Sequence, residues 1–408
     1  MVPPRLHHQS SLMAVIDFSE KPPLTADQRA STTRRFFQIL EHFRDHSNRP
    51  AQEYDRVELV RQMYNRSADD KSKDYILHAF FLSAGLSIDS NEDINFNDSN
   101  ELRASLNGFA DYLFDNFFLP LKVNSAKTPQ PSPATHSAVM RALEQEHEYI
   151  GTPQRVSILR AQCLERDRHR CVVSRKFEEE LGEKRYNLEM GGQKDAFRDE
   201  DGVSLHGQKF DALKVAHILP HSLTKVEGNR GLAGDSRTLF ESQSLTYMFQ
   251  TEAQQTTLKI LNMLDAGVAH KISGTDIDRP GNALTLTQLM HKHFGRYKIF
   301  FKPAGPPEHT YEIKTFLAPP FREGVPVTRT LFITASKTID PPDPRLLAIH
   351  SAIAHILHLS GAGEYIDHIL RDADEYGIRH DGSTELHRLL GLHLNNWTGF
   401  QDRDTVMV

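Results

Sequence analysis

The chain has 408 residues, enough for several domains at roughly 100–200 residues each, so a single small stapled module is excluded. With 48 basic against 54 acidic side chains, its formal charge of −6 leaves no global basic field to attract nucleic acid, and any polyanion must meet a local patch. Its two cysteines, Cys163 and Cys171, are too few for a disulfide framework or a four-thiolate zinc site. They point to a reducing compartment. No apolar run approaches about 18 residues and the first residues lack a signal-like core, so the expectation is a soluble intracellular protein, nuclear or cytoplasmic, with no membrane contact.

Residues 1–24 read as a disordered terminus. Thr25-Ala-Asp-Gln28 is a capping-box pattern, and Phe36, Phe37, Ile39, Leu40 and Phe43 repeat at helical spacing behind it, which predicts a helix over about residues 26–45. Val57, Leu59, Val60 and Met63, then Tyr75 to Leu82, predict two more helices separated by the polar stretch 66–74. A fourth starts at Ser99 and is expected to stop at Pro120. Residues 25–123 thus read as a helical N-terminal domain.

Residues 124–150 read as a linker with a connecting helix, because Lys127 to Pro133 carries three prolines in seven positions and favours an extended connector. A helix over about 156–166 then feeds Cys171-Val-Val-Ser174, which reads as a short strand, and 178–207 read as an irregular polar insertion. Lys214 to Leu219 and Ala283 to Leu286 read as strands, with helical stretches between them over about 239–264. Met290 to Phe294 starts a helix, and 297–301 and 311–316 form a hairpin candidate across the Pro-rich 303–307. Residues 321–408 are a C-terminal helical region whose main helix carries Leu346, Ile349, Ile353, Ile356 and Leu357 and breaks at Gly361 and Gly363.

Three polar residues sit where structure alone does not ask for them: His217 in an apolar strand, Asn282 before the second strand, and His291 nine positions after Asn282. A strand–loop–strand–helix unit brings an imidazole from the first strand and one from the helix toward a shared face, with the Asn holding the connecting loop through backbone hydrogen bonds. Arg155 to Lys176 holds seven basic and two acidic residues, a local +5, and is the candidate phosphate-facing patch, with Arg166, Arg168 and Arg170 at its centre.

Arg166-Asp-Arg-His-Arg-Cys-Val-Val-Ser174, Ala216-His-Ile-Leu-Pro-His-Ser222, Asn282-Ala-Leu-Thr-Leu286 and His291-Lys-His-Phe294 together resemble the HNH endonuclease domain, in the form common among fungal proteins. The resemblance covers about residues 151–320. It implies an α+β fold, a ββα-metal core with an added β-hairpin and mainly helical flanks, that hydrolyses phosphodiester bonds with one divalent ion, Mg, Mn or Zn. Matched position by position, His217 is the general base, Asn282 the loop anchor that keeps it in place, and His291 the helix-borne metal ligand. The partner implied is nucleic acid, DNA in first place. Two positions depart from the family pattern. Ala216 stands where many members have a second ligand, and Gly295 where many have another one helical turn after His291. His221, His293, Asp211 and Asp278 are the substitute donors in reach of the motif. The alternative is a catalytically decayed protein of the same fold that binds nucleic acid or protein.

Overall fold

In the computed structural model, the described residues are 22–44, 53–97, 99–125, 152–224, 252–334, 338–376, 385–395 and 397. The disordered terminus expected over residues 1–24 (all but its last three), the Pro-rich connector at 127–133 and the helical stretch expected over 239–251 lie outside them. The chain is mixed helix and sheet, and divides into two compact units, one of residues 1–124, 222–274 and 355–408, the other of 125–221 and 275–354.

The first unit is helical among its described residues. Ala26–His42 carries the expected capping box: the Thr25 hydroxyl accepts from Gln28 N while the Gln28 side chain accepts from Thr25 N. Arg56–Asn65 and Asp70–Ser83 follow, the latter begun inside the expected polar gap because the Asp69 carboxylate caps Ser72 N. Phe80 meets Phe36 and Phe109 edge-on, with ring centroids 5.1 and 5.6 Å apart, which ties three helices into one aromatic core. The fourth helix, Ser99–Leu113, does not stop at Pro120. One π-helical turn, Phe114–Phe118, resets the hydrogen-bond register, and Pro120 falls in the first turn of the next helix, Leu119–Ser125, where its missing N–H costs little.

The second unit holds all three motif residues. Its labelled elements run α1 (Thr152–Arg166), β1 (Phe177–Glu178), α2 (Glu179–Met190), β2 (Phe210–Asp211), β3 (Leu213–His217), β4 (Ala283–Thr287), α3 (Gln288–Gly295), β5 (Ile299–Pro303), β6 (Thr310–Thr315), β7 (Val327–Thr330) and α4 (Pro344–Leu359, up to Ala354 in this unit). Cys171 to Ser174 is a turn rather than a strand: Arg175 N donates to Cys171 O and Cys171 N to Lys176 O, closing a tight loop. The 178–207 segment is largely ordered, since Glu178 caps α2 through Leu181 N at 2.7 Å. Sequence periodicity missed α2 because its apolar residues do not line one face: Leu181 packs inward while Tyr186, Leu188 and Met190 are exposed. The hairpin of β5 and β6 has a third antiparallel strand, β7.

β3 and β4 pair antiparallel, His217 opposite Ala283 and Val215 opposite Thr285, and α3 packs on both strands. A two-stranded ribbon is marginal by itself, and β4 is buried along its whole length, so its outer edge needs partners. Arg166 and Asp167 supply them. Arg166 Nη2 donates to Ala283 O at 2.9 Å and Nη1 to Pro280 O at 2.7 Å, while Thr285 N donates to Asp167 Oδ2 at 3.1 Å. Val172 N takes the remaining Thr285 O at 2.9 Å. The two side chains are fully buried and pair with each other, Nε to Oδ1 and Nη2 to Oδ2, both at 2.9 Å. A bidentate pair of this kind keeps each charge neutralised where water cannot reach.

Removing one partner leaves the other charge buried and alone. Asp167→Asn is expected to destabilise the protein by about 3–5 kcal/mol, read as a lowered urea midpoint, and the apolar double variant Arg166→Met/Asp167→Leu to lose less than the two single variants added together. Additive losses would show that the pair is not coupled.

Candidate active site

Each motif side chain is placed by a different local device. His217 is the last residue of β3, on a strand whose apolar alternation buries Leu213 and Val215. Asn282 closes a short 3-10 turn, Pro280–Asn282, and its side chain is wholly engaged: Oδ1 accepts from Leu219 N at 2.9 Å, and Nδ2 donates to Leu219 O at 3.0 Å and to Ile277 O at 2.9 Å. It therefore pins the segment after β3 to the segment before β4. His291 lies on α3, which Thr287 caps by accepting from Met290 N at 3.4 Å.

The residue that gathers the site is Asp278. Its Oδ1 accepts from His217 Nε2 at 3.1 Å and from His221 Nδ1 at 2.7 Å, and its Oδ2 accepts from Arg155 Nε at 3.1 Å. Desolvation by burial pushes the Asp278 carboxylate up, but the hydrogen bonds and charges of His217 and His221 outweigh it and hold the group well below the usual carboxylate range. With both ring N–H groups turned to Asp278, His217 Nδ1 and His221 Nε2 are left buried without a hydrogen-bond partner, and so is His291 Nε2. Three inward-facing nitrogens without partners are costly in a dry site unless a cation, a water or a substrate meets them.

Burial depresses both motif histidines. His217 is 4% exposed, and desolvation pushes its pKa down against the pull of Asp278. His291 is 8% exposed and is pushed to about 4, first by desolvation and then by Lys214 and His217. α3, which carries His291, packs on β3, which ends in His217. Both imidazoles are neutral at pH 7, as a metal ligand or proton acceptor must be.

His217, His221 and Asp278 offer one ligand atom each, all within 4.8 Å of one another. An ion bound at about 2.0–2.2 Å holds neighbouring ligand atoms about 3–3.5 Å apart, close to the 2.7 and 3.1 Å contacts around Asp278 Oδ1. The donors fit a divalent ion. Of the substitute donors seen in the sequence, His221 and Asp278 thus join His217, whereas Asp211 is paired with Lys176 at 2.7 Å and His293 is half-buried on α3 outside the group. The sequence signal was spacing: His221 follows His217 by four residues, and Asp278 precedes Asn282 by four. The role of Arg155 had no local signal.

The basic patch does not survive as one surface. Arg166 is the strand clamp described above. Arg170 is turned inward, to Asp199 at 2.8 Å, Gln208 Oε1 at 2.7 Å and Arg175 O at 3.1 Å. Arg168 is the exposed one of the three and pairs with Asp201. The physical reason is that each guanidinium finds acceptors within its own unit, backbone carbonyls and Asp167 for Arg166 and carboxylates for Arg168 and Arg170, which take up its charge.

A hairpin with a terminal histidine, an asparagine locking its loop and a helix carrying a further histidine, built around an Asp–His–His group, defines a histidine-based centre suited to a divalent ion. Residues 171–302, about a third of the chain, match the family model of the HNH endonucleases, and the chain carries an HNH endonuclease domain. The chain matches no curated protein and no solved structure. Among the described residues no single helix is long and apolar enough to cross a membrane.

The helix α3 is also held by a buried titratable contact. The His350 ring stacks on Phe294 at 3.8 Å and on Tyr297 at 4.6 Å, and its Nε2 donates to Phe294 O at 3.1 Å. Burial pushes its pKa down to about 3. Between about 3 and the unfolded value of about 6.5 the unfolded chain binds the extra proton, so this contribution to stability is present above pH 6.5 and falls as the pH drops. His350→Phe, which keeps the stack and removes the titration, is expected to flatten the fall in urea midpoint between pH 7.5 and pH 5. An unchanged slope would mean that the ring is not buried neutral.

Proposed function

We propose that this domain is a ββα-metal nuclease that hydrolyses phosphodiester bonds of nucleic acid, DNA in first place, with one divalent ion. The observation that carries the reading is the Asp278 carboxylate holding His217 through Nε2 while the opposite ring nitrogen is left without a partner. That is the arrangement of a general base: one nitrogen fixes tautomer and orientation, and the other accepts a proton from water. Asn282 keeps the base in register by tying the loop after β3. Arg155 holds Asp278 ionised and oriented. His291 would hold the ion. When bound, the ion offsets charge on the phosphate and on the leaving 3′-oxygen. Arg155, with a quarter of its side chain exposed, marks the side from which a phosphodiester reaches these otherwise buried rings.

A second assignment of roles for the same reaction is favoured by the three-donor group. If His217, His221 and Asp278 held the ion directly through the atoms that now meet, the ring protons would sit on His217 Nδ1 and His221 Nε2 and His217 would be a ligand, which would leave the neutral His291 as the proton acceptor.

Incubation with plasmid DNA and Mg²⁺, Mn²⁺ or Zn²⁺ tests the reaction, and His217→Ala is expected to reduce cleavage by at least a hundredfold. Equal nicking by wild type and variant would remove the nuclease reading. Calorimetric titration with Mn²⁺ separates the roles: uptake kept in His217→Ala and lost in His291→Ala fits His217 as base, and the reverse pattern fits it as ligand.

A further inference from the structure

Arg175 stands apart from the other arginines of its segment. Asp167 is committed to Arg166, Asp199 to Arg170 and Asp201 to Arg168. Among the described residues no carboxylate forms an ion pair with Arg175. Its Nη2 donates to Thr330 O at 2.5 Å, and its Nη1 is buried with no hydrogen-bond partner. A second cation lies beside it: Arg329, on β7, whose Nε donates to Val173 O at 2.8 Å in the same turn. Desolvation, and then the charge of Arg329, push the Arg175 pKa down to about 10.

The fold holds these cations together rather than letting them separate. The guanidinium carbons of Arg175 and Arg168 lie over the Phe332 ring, at 4.2 and 4.9 Å from its centroid. Both residues adopt left-handed backbone, at φ 62° and 56° respectively, a conformation that L side chains visit at a cost. Partly buried like charges with an unsatisfied donor are unfavourable in the free protein and become favourable when an anion joins them, since a guanidinium matches two oxygens of a phosphate. The turn that carries Arg175 docks on the outer edge of β4 through Val172, and the β3 partner of that strand ends in His217.

We propose that Arg175 and Arg329, with Arg168 and the Phe332 ring as their support, form a phosphate-binding subsite for the backbone of a nucleic-acid strand, separate from the cleavage centre. This rests on the nuclease reading and adds to it where the strand is gripped. The subsite recognises phosphodiester and carries no base-reading group, so it binds without sequence choice.

The test uses the full chain in EDTA, with fluorescein-labelled 20-base-pair DNA and RNA duplexes of one sequence, and follows anisotropy from 50 to 300 mM KCl. Arg175→Gln and Arg329→Gln are each expected to weaken binding about tenfold at low salt and to reduce the slope of log affinity against log salt by about 0.9 for each phosphate that is no longer neutralised. Arg168→Glu changes an exposed side chain and needs no refolding of the turn; it is expected to weaken binding as well, and it decides the matter if the other variants fold poorly. Wild-type binding that all three substitutions leave unchanged overturns the subsite while plasmid cleavage, measured separately, still stands. No salt-dependent binding of either duplex by wild type, together with no cleavage, overturns both.

Discussion

The bidentate pair of Arg166 and Asp167 is the interaction on which the second unit depends. A two-stranded ribbon cannot keep an imidazole at a fixed angle, because its outer edges exchange hydrogen bonds with water and the strands fray. Here the outer edge of β4 is closed by a guanidinium on Ala283 O and Pro280 O, a carboxylate on Thr285 N and a backbone N–H on Thr285 O. The pair does the work of a third strand using two side chains. It fixes the strand that Asn282 precedes and α3 follows, so the positions of all three motif residues are inherited from it.

The same logic of enclosed charge runs through the site. Asp278 is buried and ionised because three donors surround it, and the donors are held in place because the carboxylate is there. Its consequence for chemistry is the set of nitrogens it leaves over. A carboxylate that accepts from two imidazoles turns the remaining lone pairs of His217 and His221 away from itself, and both are buried, where electrostatic interactions are stronger than in bulk solvent. Ala216 and Gly295 offer no ligand atom, whereas His221 and Asp278 stand with His217 in a group whose donor atoms lie within 4.8 Å of one another.

The arginine segment shows how far composition misleads when the fold is unknown. Seven basic residues in a short stretch read as one electrostatic surface, yet five of them divide among three duties. Arg166 closes a strand edge, Arg155 and Arg170 orient carboxylates inside the unit, and Arg168 and Arg175 meet over an aromatic ring contributed from far along the chain. None of these partners is near in sequence. Charge counts sum over neighbours along the chain, whereas a phosphate responds to charges that are near in space and not already paired.

Local pattern was sufficient for the amphipathic helices, for β3 and β4 each taken singly and for the spacing that ties Asn282 to His291, because each of these depends on residues a few positions apart: a cap, an alternation, a periodic face. It failed for α2, whose apolar residues do not line one face, and at Pro120, where a π-helical turn absorbed a residue that ordinarily ends a helix. The order of the histidines and the asparagine, and the family they resemble, were legible in the sequence alone. That Asp278 would become the hub, that Arg166 would be buried and that Arg175 would have no counter-ion among the described residues were settled only in three dimensions, since burial and pairing are properties of contacts made across long stretches of chain and no local pattern encodes which charge meets which.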